Sequence, residues 1–96
     1  MRVAIYNYAS YRKGEYCNMD LPQNITLGEI CDKWRNYFSN HNLKIWKFKI
    51  GNWSEPYTGD EQNSFFEPTM TLREYIEFYE KQGMPMQNYV QIILHN

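Results

Sequence analysis

Two copies of the motif Thr-Leu-x-Glu constrain the fold more than any other feature, because each one marks the start of a helix. They lie at residues 26–29 and 71–74. In this capping box the Thr hydroxyl accepts a hydrogen bond from the backbone N–H three residues later, and the Glu carboxylate accepts one from the Thr N–H. An apolar residue stands before each Thr and after each Glu, as in a hydrophobic staple. The sequence therefore predicts two helices, which begin after Thr26 and after Thr71.

Apolar residues at helical spacing indicate how far each helix extends. The first set predicts an amphipathic helix through about Ser39 and consists of Leu27, Ile30, Cys31, Trp34, Tyr37 and Phe38. The second set is shorter and consists of Leu72, Tyr75, Ile76 and Tyr79. Gly83 follows the second set and is a natural helix stop, because glycine readily takes the left-handed conformation.

Four stretches in which apolar and polar residues alternate predict β-strands. They are residues 2–8, 16–21, 43–50 and 89–94. The first two are joined by a polar segment that ends in Gly14, so we expect a hairpin there. One face of each strand is apolar, and these faces predict the core of the protein. The inward residues are Val3, Ile5, Cys17, Met19, Leu21, Trp46, Phe48, Ile50, Val90, Ile92 and Leu94.

Residues 52–69 predict a long acidic aromatic loop. The segment contains Trp53, Tyr57, Phe65 and Phe66 together with four acidic residues and no basic one. Its prolines and its glycine disfavour a continuous helix or strand, although a short strand fits near Trp53. Long loops in small domains are usually functional, so we expect this loop to take part in binding.

The order of these elements resembles that of ubiquitin and its relatives, the β-grasp fold. Residues 1–5 resemble the first strand of the family, residues 21–30 the approach to its main helix, and residues 71–75 the TLxDY stretch before its last strand. The resemblance covers nearly the whole chain and implies one ubiquitin-like domain over residues 1–96, an α+β protein with the order ββαβ(β)αβ. In that fold the first and last strands are parallel neighbours at the centre of a mixed sheet. One main helix packs across one face of the sheet.

The resemblance and the two cysteines indicate which biochemical activities are expected of this chain and which are not. Conjugated and sulfur-carrying relatives end in Gly-Gly, whereas this chain ends in Leu94-His95-Asn96, so we expect neither role. Ferredoxins of similar fold need four cysteine ligands, and this sequence has Cys17 and Cys31 alone. Both fall on predicted core faces and suit buried hydrophobic residues better than a redox pair or a nucleophile with a nearby base. Since zinc-ligand spacings and nucleotide or hydrolase motifs are also missing, we predict a non-enzyme without metal or cofactor.

Charge is nearly balanced overall but unequal between the halves of the chain. The formal net charge is −1, which excludes a strongly basic or acidic protein. Residues 1–49 hold eight basic and four acidic residues, and residues 50–96 hold two basic and seven acidic ones. Either the halves attract each other within the fold, or the two-signed surface orients a partner. No apolar run reaches the length of a signal-peptide core or a transmembrane helix, so we expect a cytoplasmic protein with no membrane partner.

The outward face of the sheet is the predicted binding surface. It is expected to carry Tyr6, Tyr8, Ile45, Lys47, Lys49, Tyr89, Gln91 and Ile93. Tyrosines around isolated aliphatic side chains are typical of protein interfaces, and an exposed sheet face is the usual recognition surface of ubiquitin-like relatives. The loop aromatics complete the predicted partner-binding site with Trp53, Tyr57, Phe65 and Phe66. The alternative is that the loop folds onto this face and covers it.

These features predict a non-catalytic protein–protein interaction module, a ubiquitin-like adaptor or inhibitor of the kind that phages and other mobile elements encode. The alternative is a small protein that binds single-stranded nucleic acid, with the sheet tyrosines stacking on bases and the lysines binding phosphates. The modest number of basic residues and the acidic second half disfavour nucleic acid as the partner. An edge strand near Tyr16 also leaves open a homodimer, formed by pairing with a second copy of the chain.

Overall fold

The computed structural model describes residues 1–7, 16–35, 43–57, 60, 63–86 and 90–95. Within these residues the chain forms two helices, a mixed sheet of four strands and a separate pair of strands, which confirms the predicted α+β class. The elements in chain order are β1 (Arg2–Asn7), β2 (Tyr16–Asp20), α1 (Leu27–Trp34), β3 (Lys44–Ile45), β4 (Phe48–Lys49), β5 (Asn52–Pro56), α2 (Leu72–Glu80) and β6 (Val90–His95).

The larger sheet has the strand order β2-β1-β6-β3. β1 is antiparallel to β2 and parallel to β6, with Val3 opposite Val90, and β3 is antiparallel to β6. The first and last strands are therefore parallel neighbours at the centre of the sheet, as the resemblance to the β-grasp fold implies. Both faces of this central pair are buried in places, since Ala4 and Ile93 are as inaccessible to solvent as Val3.

Each helix begins at its predicted Thr. Thr26 caps α1 and accepts a hydrogen bond from the Glu29 N–H at 3.2 Å. Thr71 caps α2 with a complete capping box, because Glu74 also accepts a hydrogen bond from the Thr71 N–H. These bonds satisfy backbone N–H groups that have no partner inside the helix.

The helix ends agree less fully with the sequence pattern. α1 is described as far as Trp34 and its C-cap Arg35, and the predicted extension through Ser39 lies outside the described residues. α2 ends at Glu80. Gly83 follows in a turn at φ +86°, the left-handed conformation that a glycine stop requires.

The predicted continuous strand over residues 43–50 is wrong. The chain leaves the larger sheet after Trp46, whose N–H donates to the Ile93 carbonyl, and β4 then pairs with β5 in a separate antiparallel hairpin. Gly51, at φ +89°, makes the turn of this hairpin. Ile50 stands beside it and is 39% exposed, so its predicted place in the core is also wrong. β5 is the short strand expected near the start of the acidic aromatic loop.

Most of the other predicted inward residues share one hydrophobic cluster with the buried faces of α1 and α2. From the strands and their continuations it includes Val3, Ile5, Leu21, Phe48, Val90, Ile92 and Leu94. Trp46 is buried as well, but it lies beside His95 on the other face of the sheet, so its predicted inward direction is wrong. Cys17 and Met19 are half-buried instead. Tyr75 and Tyr79 bring rings from α2 into the cluster, and their hydroxyls donate to the carbonyls of Gln91 at 2.5 Å and Phe48 at 3.1 Å. The polar ends of these buried tyrosines therefore have partners.

Candidate functional site

The sheet face that carries Tyr6 is the candidate site. Residues opposite each other in a sheet project to the same side, so the strand register determines which side chains share this face. Tyr6 is opposite Tyr16 in β2 and Ile93 in β6, and Lys44 is opposite His95. Alternation along β6 places His95 on the same face as Ile93. The register therefore brings side chains from four strands together.

Aromatic rings group on this face. Trp46 and His95 stack with ring centres 4.9 Å apart, and Phe65 meets both rings edge-on at 5.6 and 5.8 Å. The Lys44 ammonium lies 5.2 Å from the centre of the Phe65 ring, a cation–π distance. Tyr6 and Tyr16 form another pair, 5.1 Å apart. We call these residues the aromatic patch: Tyr6, Tyr16, Lys44, Trp46, Phe65 and His95.

The aromatic patch combines a buried floor with an accessible rim. Ile93 is fully buried on this face and Trp46 nearly so. The remaining members are half-buried or exposed, and Tyr16, at 48%, is the most exposed large hydrophobic residue that the structure describes. Rings of this accessibility offer apolar area to a ligand without unfolding any part of the core.

Phe65 reaches the patch because residues 63–66 run beside residues 45–47. The Lys47 N–H donates to the Ser64 carbonyl at 2.7 Å and the Phe66 N–H to the Ile45 carbonyl at 3.0 Å, around an isolated bridge between Trp46 and Phe65. Successive residues of an extended segment point to opposite sides. Phe65 therefore lies on the sheet face, whereas Phe66 packs in the core, edge-on to Tyr75 at 5.0 Å.

A second group of rings surrounds a lysine on the other side of this segment. The Lys47 ammonium lies 5.2 Å from the ring centre of Phe66, 5.5 Å from that of Phe78 and 6.0 Å from that of Tyr57. Lys47 belongs to none of the ion pairs in the described part of the chain, so these ring faces are its electrostatic partners there. The Tyr57 hydroxyl donates to Gln82 at 2.5 Å and holds its ring in place. We call this group the Lys47 cage.

The predicted site residues therefore divide between several places. Tyr6 and Phe65 lie in the aromatic patch, and Lys47 and Tyr57 lie in the Lys47 cage rather than on the sheet face. The expectation that the loop covers the face holds for Phe65, while Tyr16 beside Tyr6 stays accessible.

The remaining predicted residues lie outside both groups. Lys49 pairs with Glu55 across the β4–β5 hairpin at 3.4 Å, a contact that joins the basic half of the chain to the acidic half. Trp53 contributes its backbone to β5. Tyr8 and Tyr89 lie outside the described residues.

The predicted exposure of Ile45, Phe66 and Ile93 is wrong, because these side chains are 1%, 6% and 0% exposed. Ile45 is opposite Leu94 in the register and so projects into the core with it. The error came from reading residues 43–50 as one strand, in which Ile45 shares a face with Lys47. Ile93 does lie on the predicted face, but beneath the rings of the patch.

Several members of the two groups were missed from the sequence. The predicted alternation points Trp46 inward, the predicted last strand ends before His95, and the predicted partner-binding site does not include Lys44, Tyr16 or Phe78. A signal existed for His95, because extending the alternation of the last strand by one residue places it on the face of Ile93. No local signal identifies Trp46, because its direction depends on where the chain leaves the sheet.

Cys31 is a buried thiol whose surroundings do not favour the thiolate. Burial raises the pKa of the Cys31 thiol, Arg35 lowers it in part and Asp32 adds a smaller rise, so that the pKa is about 11. The thiol is therefore protonated at neutral pH, whereas a nucleophilic cysteine needs the thiolate. Cys17 and Cys31 are both free thiols. Among the residues that the structure describes, no group of three or more His, Cys, Asp or Glu side chains is placed to hold a metal ion.

Comparison with known proteins adds no relative to this picture. No protein-family model matches the chain, and no curated protein matches it. Within the described residues, neither helix has the length and apolar character needed to cross a bilayer. Function is therefore inferred from the residues of the aromatic patch and their geometry.

Proposed function

We propose that this chain is a β-grasp protein of the ubiquitin-like kind, and that it binds another protein through the aromatic patch without catalysing a reaction. The fold part of the proposal is supported by the parallel pairing of the first and last strands. It is further supported by a helix that follows a β-hairpin and by a second capped helix before the last strand. A chain that binds another protein without catalysing a reaction acts on that protein as an adaptor or as an inhibitor.

The observation that carries the proposal is the group of aromatic side chains on the sheet face of Ile93, of which Tyr16 is exposed and Phe65 and His95 are half-buried. Interface centres are enriched in Tyr, Trp and Phe, because these side chains bury a large area while restricting few rotatable bonds. Tyr16 and Phe65 provide such area on either side of the patch, and the strands beneath hold them in fixed positions. The patch is therefore organised before a partner arrives, which lowers the entropic cost of binding.

The charge of the patch indicates the chemistry of the partner surface. Lys44 is exposed at the edge of the rings, beside Phe65. A partner with an apolar centre and a carboxylate at its margin complements this arrangement, because the carboxylate can meet the Lys44 ammonium while the apolar centre covers the rings.

Single-stranded nucleic acid is a weaker candidate for the same surface. Stacking on nucleobases needs aromatic rings, which the patch has, but binding also needs basic side chains that neutralise successive phosphates. Two of the lysines expected to do so lie elsewhere, because Lys47 sits in its aromatic cage and Lys49 pairs with Glu55. This separation of lysines from the sheet face favours a protein partner.

The test compares the wild-type chain with a variant that carries Tyr16→Ala and Phe65→Ala, using affinity capture followed by quantitative mass spectrometry. Ile50→Ala is the matched control, because Ile50 is an exposed apolar residue at the turn of the separate β4–β5 hairpin, outside the larger sheet. We expect a partner that is retained by wild type and by the control and lost by the patch variant. Equal recovery from all three chains rules out the patch as the binding site.

A second measurement separates the classes of partner. Fluorescence anisotropy with labelled single-stranded DNA and RNA is recorded at low and at physiological salt. We expect no appreciable binding at either. Appreciable affinity that falls steeply with salt contradicts the protein-binding proposal and favours nucleic acid.

A further inference from the structure

The two edge strands of the larger sheet are β3 and β2, and they differ in whether another described segment of the chain pairs with their outer side. The β3 edge is covered by the chain itself, since residues 63–66 donate and accept backbone hydrogen bonds along residues 45–47. At the other edge, β2 pairs with β1 alone among the residues that the structure describes. An edge strand of this kind presents a row of backbone N–H and C=O groups that another strand can pair with.

The sequence of β2 lacks the features that keep edge strands apart. Natural edges are protected by Lys, by Pro, by bulges or by charged residues that point inward. β2 reads Tyr-Cys-Asn-Met-Asp, is paired with β1 at every position without a bulge, and carries its one charge at the end, on Asp20. This edge is therefore open to pairing along its five residues.

We propose that β2 pairs antiparallel with β2 of a second copy of this chain, with the two-fold axis at Asn18. This register uses all five residues of the strand. Each Tyr16 then stands opposite Asp20 of the second copy, each Cys17 opposite Met19, and the two Asn18 side chains face each other. Any other antiparallel register of two identical strands leaves residues unpaired at both ends.

The opposed side chains in this register are chemically compatible. The Tyr16 hydroxyl can donate to the Asp20 carboxylate, Cys17 and Met19 make an apolar contact, and amides can hydrogen-bond to each other. The two Asp20 carboxylates are about 13 Å apart along the strands, so like charges do not oppose each other. A strand of different sequence does not place these compatible side chains opposite each other. We therefore favour a second copy of this chain as the strand that pairs with β2.

The dimer joins the two sheets into one continuous sheet and places the Tyr6–Tyr16 pairs of both copies on the same face. The contact is small, so the association is weak and depends on concentration. It is formed by the backbone edge of β2 and shares one residue, Tyr16, with the aromatic patch, and it stands whether or not the patch binds another protein.

Disulfide trapping tests the register directly, in a Cys17→Ser background. In the proposed dimer the two Cα atoms at position 18 are about 4.5 to 5.5 Å apart, within the range that a disulfide spans. Asn18→Cys is therefore expected to form a disulfide-linked dimer on mild oxidation. Cys31 stays reduced because it is buried with a raised pKa.

Position 20 provides the matched control for trapping. Asp20→Cys alone is expected to remain monomeric, because its copies are four residues apart along the strands. When Asp20→Cys is mixed with Tyr16→Cys, a mixed dimer is expected, since positions 16 and 20 face each other. A folded Asn18→Cys chain that stays monomeric overturns the proposal, and so does cross-linking of Asp20→Cys alone to the same extent as Asn18→Cys.

Analytical ultracentrifugation of unmodified chains gives the second measurement, from about 10 µM to about 1 mM, the range of weak association. The wild type is expected to form a dimer as concentration rises. Asn18→Lys, which places two ammonium groups face to face, is expected to weaken the dimer at least about tenfold, whereas Asn18→Thr keeps it. A wild type that is monomeric throughout, or an Asn18→Lys chain that dimerises like wild type, overturns the proposal.

Discussion

Thr26 and Thr71, the N-cap residues of α1 and α2, lie opposite each other in an antiparallel backbone bridge. Hydrogen bonds of 2.8 Å flank the bridge on both sides, from the Leu27 N–H to the Met70 carbonyl and from the Leu72 N–H to the Ile25 carbonyl. The starts of the two helices therefore support each other, although 45 positions separate the two threonines in the sequence.

Replacing the cap hydroxyl of α2 is expected to destabilise the protein. Thr71→Ala leaves the Glu74 N–H without its side-chain acceptor, and we expect the free energy of unfolding to fall by about 1 kcal/mol. Thr71→Ser keeps the hydroxyl and serves as the control. Urea denaturation measures both, and a Ser variant that loses as much stability as the Ala variant contradicts the role of the hydroxyl.

Truncating the neighbouring residues Phe65 and Phe66 is expected to lower the stability of the protein by very different amounts. Phe66→Ala removes a ring from the core and is expected to cost about 3 to 5 kcal/mol of stability. Phe65→Ala removes a half-buried ring from the aromatic patch, costs about 1 kcal/mol and weakens partner binding. Thermal or urea unfolding distinguishes them, and equal losses contradict the opposite orientation of the two side chains.

The Lys47 cage predicts a coupling between Lys47 and Phe78. In a double-mutant cycle with Lys47→Met and Phe78→Leu, we expect a coupling energy of about 0.5 to 1 kcal/mol from the cation–π contact. A parallel cycle with Lys49→Met and Phe78→Leu is the control, because Lys49 pairs with Glu55 instead. Similar coupling in both cycles, or none in the first, contradicts the arrangement of rings around Lys47.

The raised pKa of Cys31 predicts a loss of stability in alkali. In the unfolded chain the thiol deprotonates near its ordinary pKa of 9.0, whereas in the folded protein it stays protonated up to about 11. Between these values the unfolded state binds fewer protons, so stability is complete below pH 9 and falls as the pH rises toward 11. The stability difference between wild type and Cys31→Ala is expected to shrink by about 2 to 3 kcal/mol across this window.

Urea unfolding at several pH values measures this difference. Comparing the two chains cancels the contribution of Tyr75 and Tyr79, whose pKa values are also raised, chiefly by burial. A stability difference that stays constant from pH 8 to pH 11 shows that the Cys31 thiol titrates alike in the folded and unfolded states, against this expectation.

Local chemistry explains which parts of the fold were predictable. Thr26 and Thr71 identify their helices because a capping box depends on residues three positions apart. The alternation in β1 and β6 identifies the central strands, because both are long enough for a period of two to be recognised. Their parallel pairing followed from the resemblance to the β-grasp fold rather than from any residue in the strands themselves.

The residues around Trp46 show why the rest could not be predicted. Whether Ile45 or Trp46 points into the core depends on where the chain departs from the larger sheet, and that point is set by the pairing of β4 with β5 and of residues 63–66 with β3. These are tertiary contacts between distant segments. Trp46 and Phe65 of the aromatic patch and all of the Lys47 cage depend on this departure point, so the sequence predicts their membership only in part.

The pairing of Val3 with Val90 has a consequence for how the protein is made. During translation β1 leaves the ribosome early, but its inner neighbour is the last strand to appear. The incomplete chain keeps Val3 and Ile5 without their neighbour β6 until that strand has emerged, so the sheet closes only after all the other strands and both helices have been made. Nascent chains of this protein are therefore expected to depend on chaperones that shield apolar strands, and to refold slowly for a chain of their size.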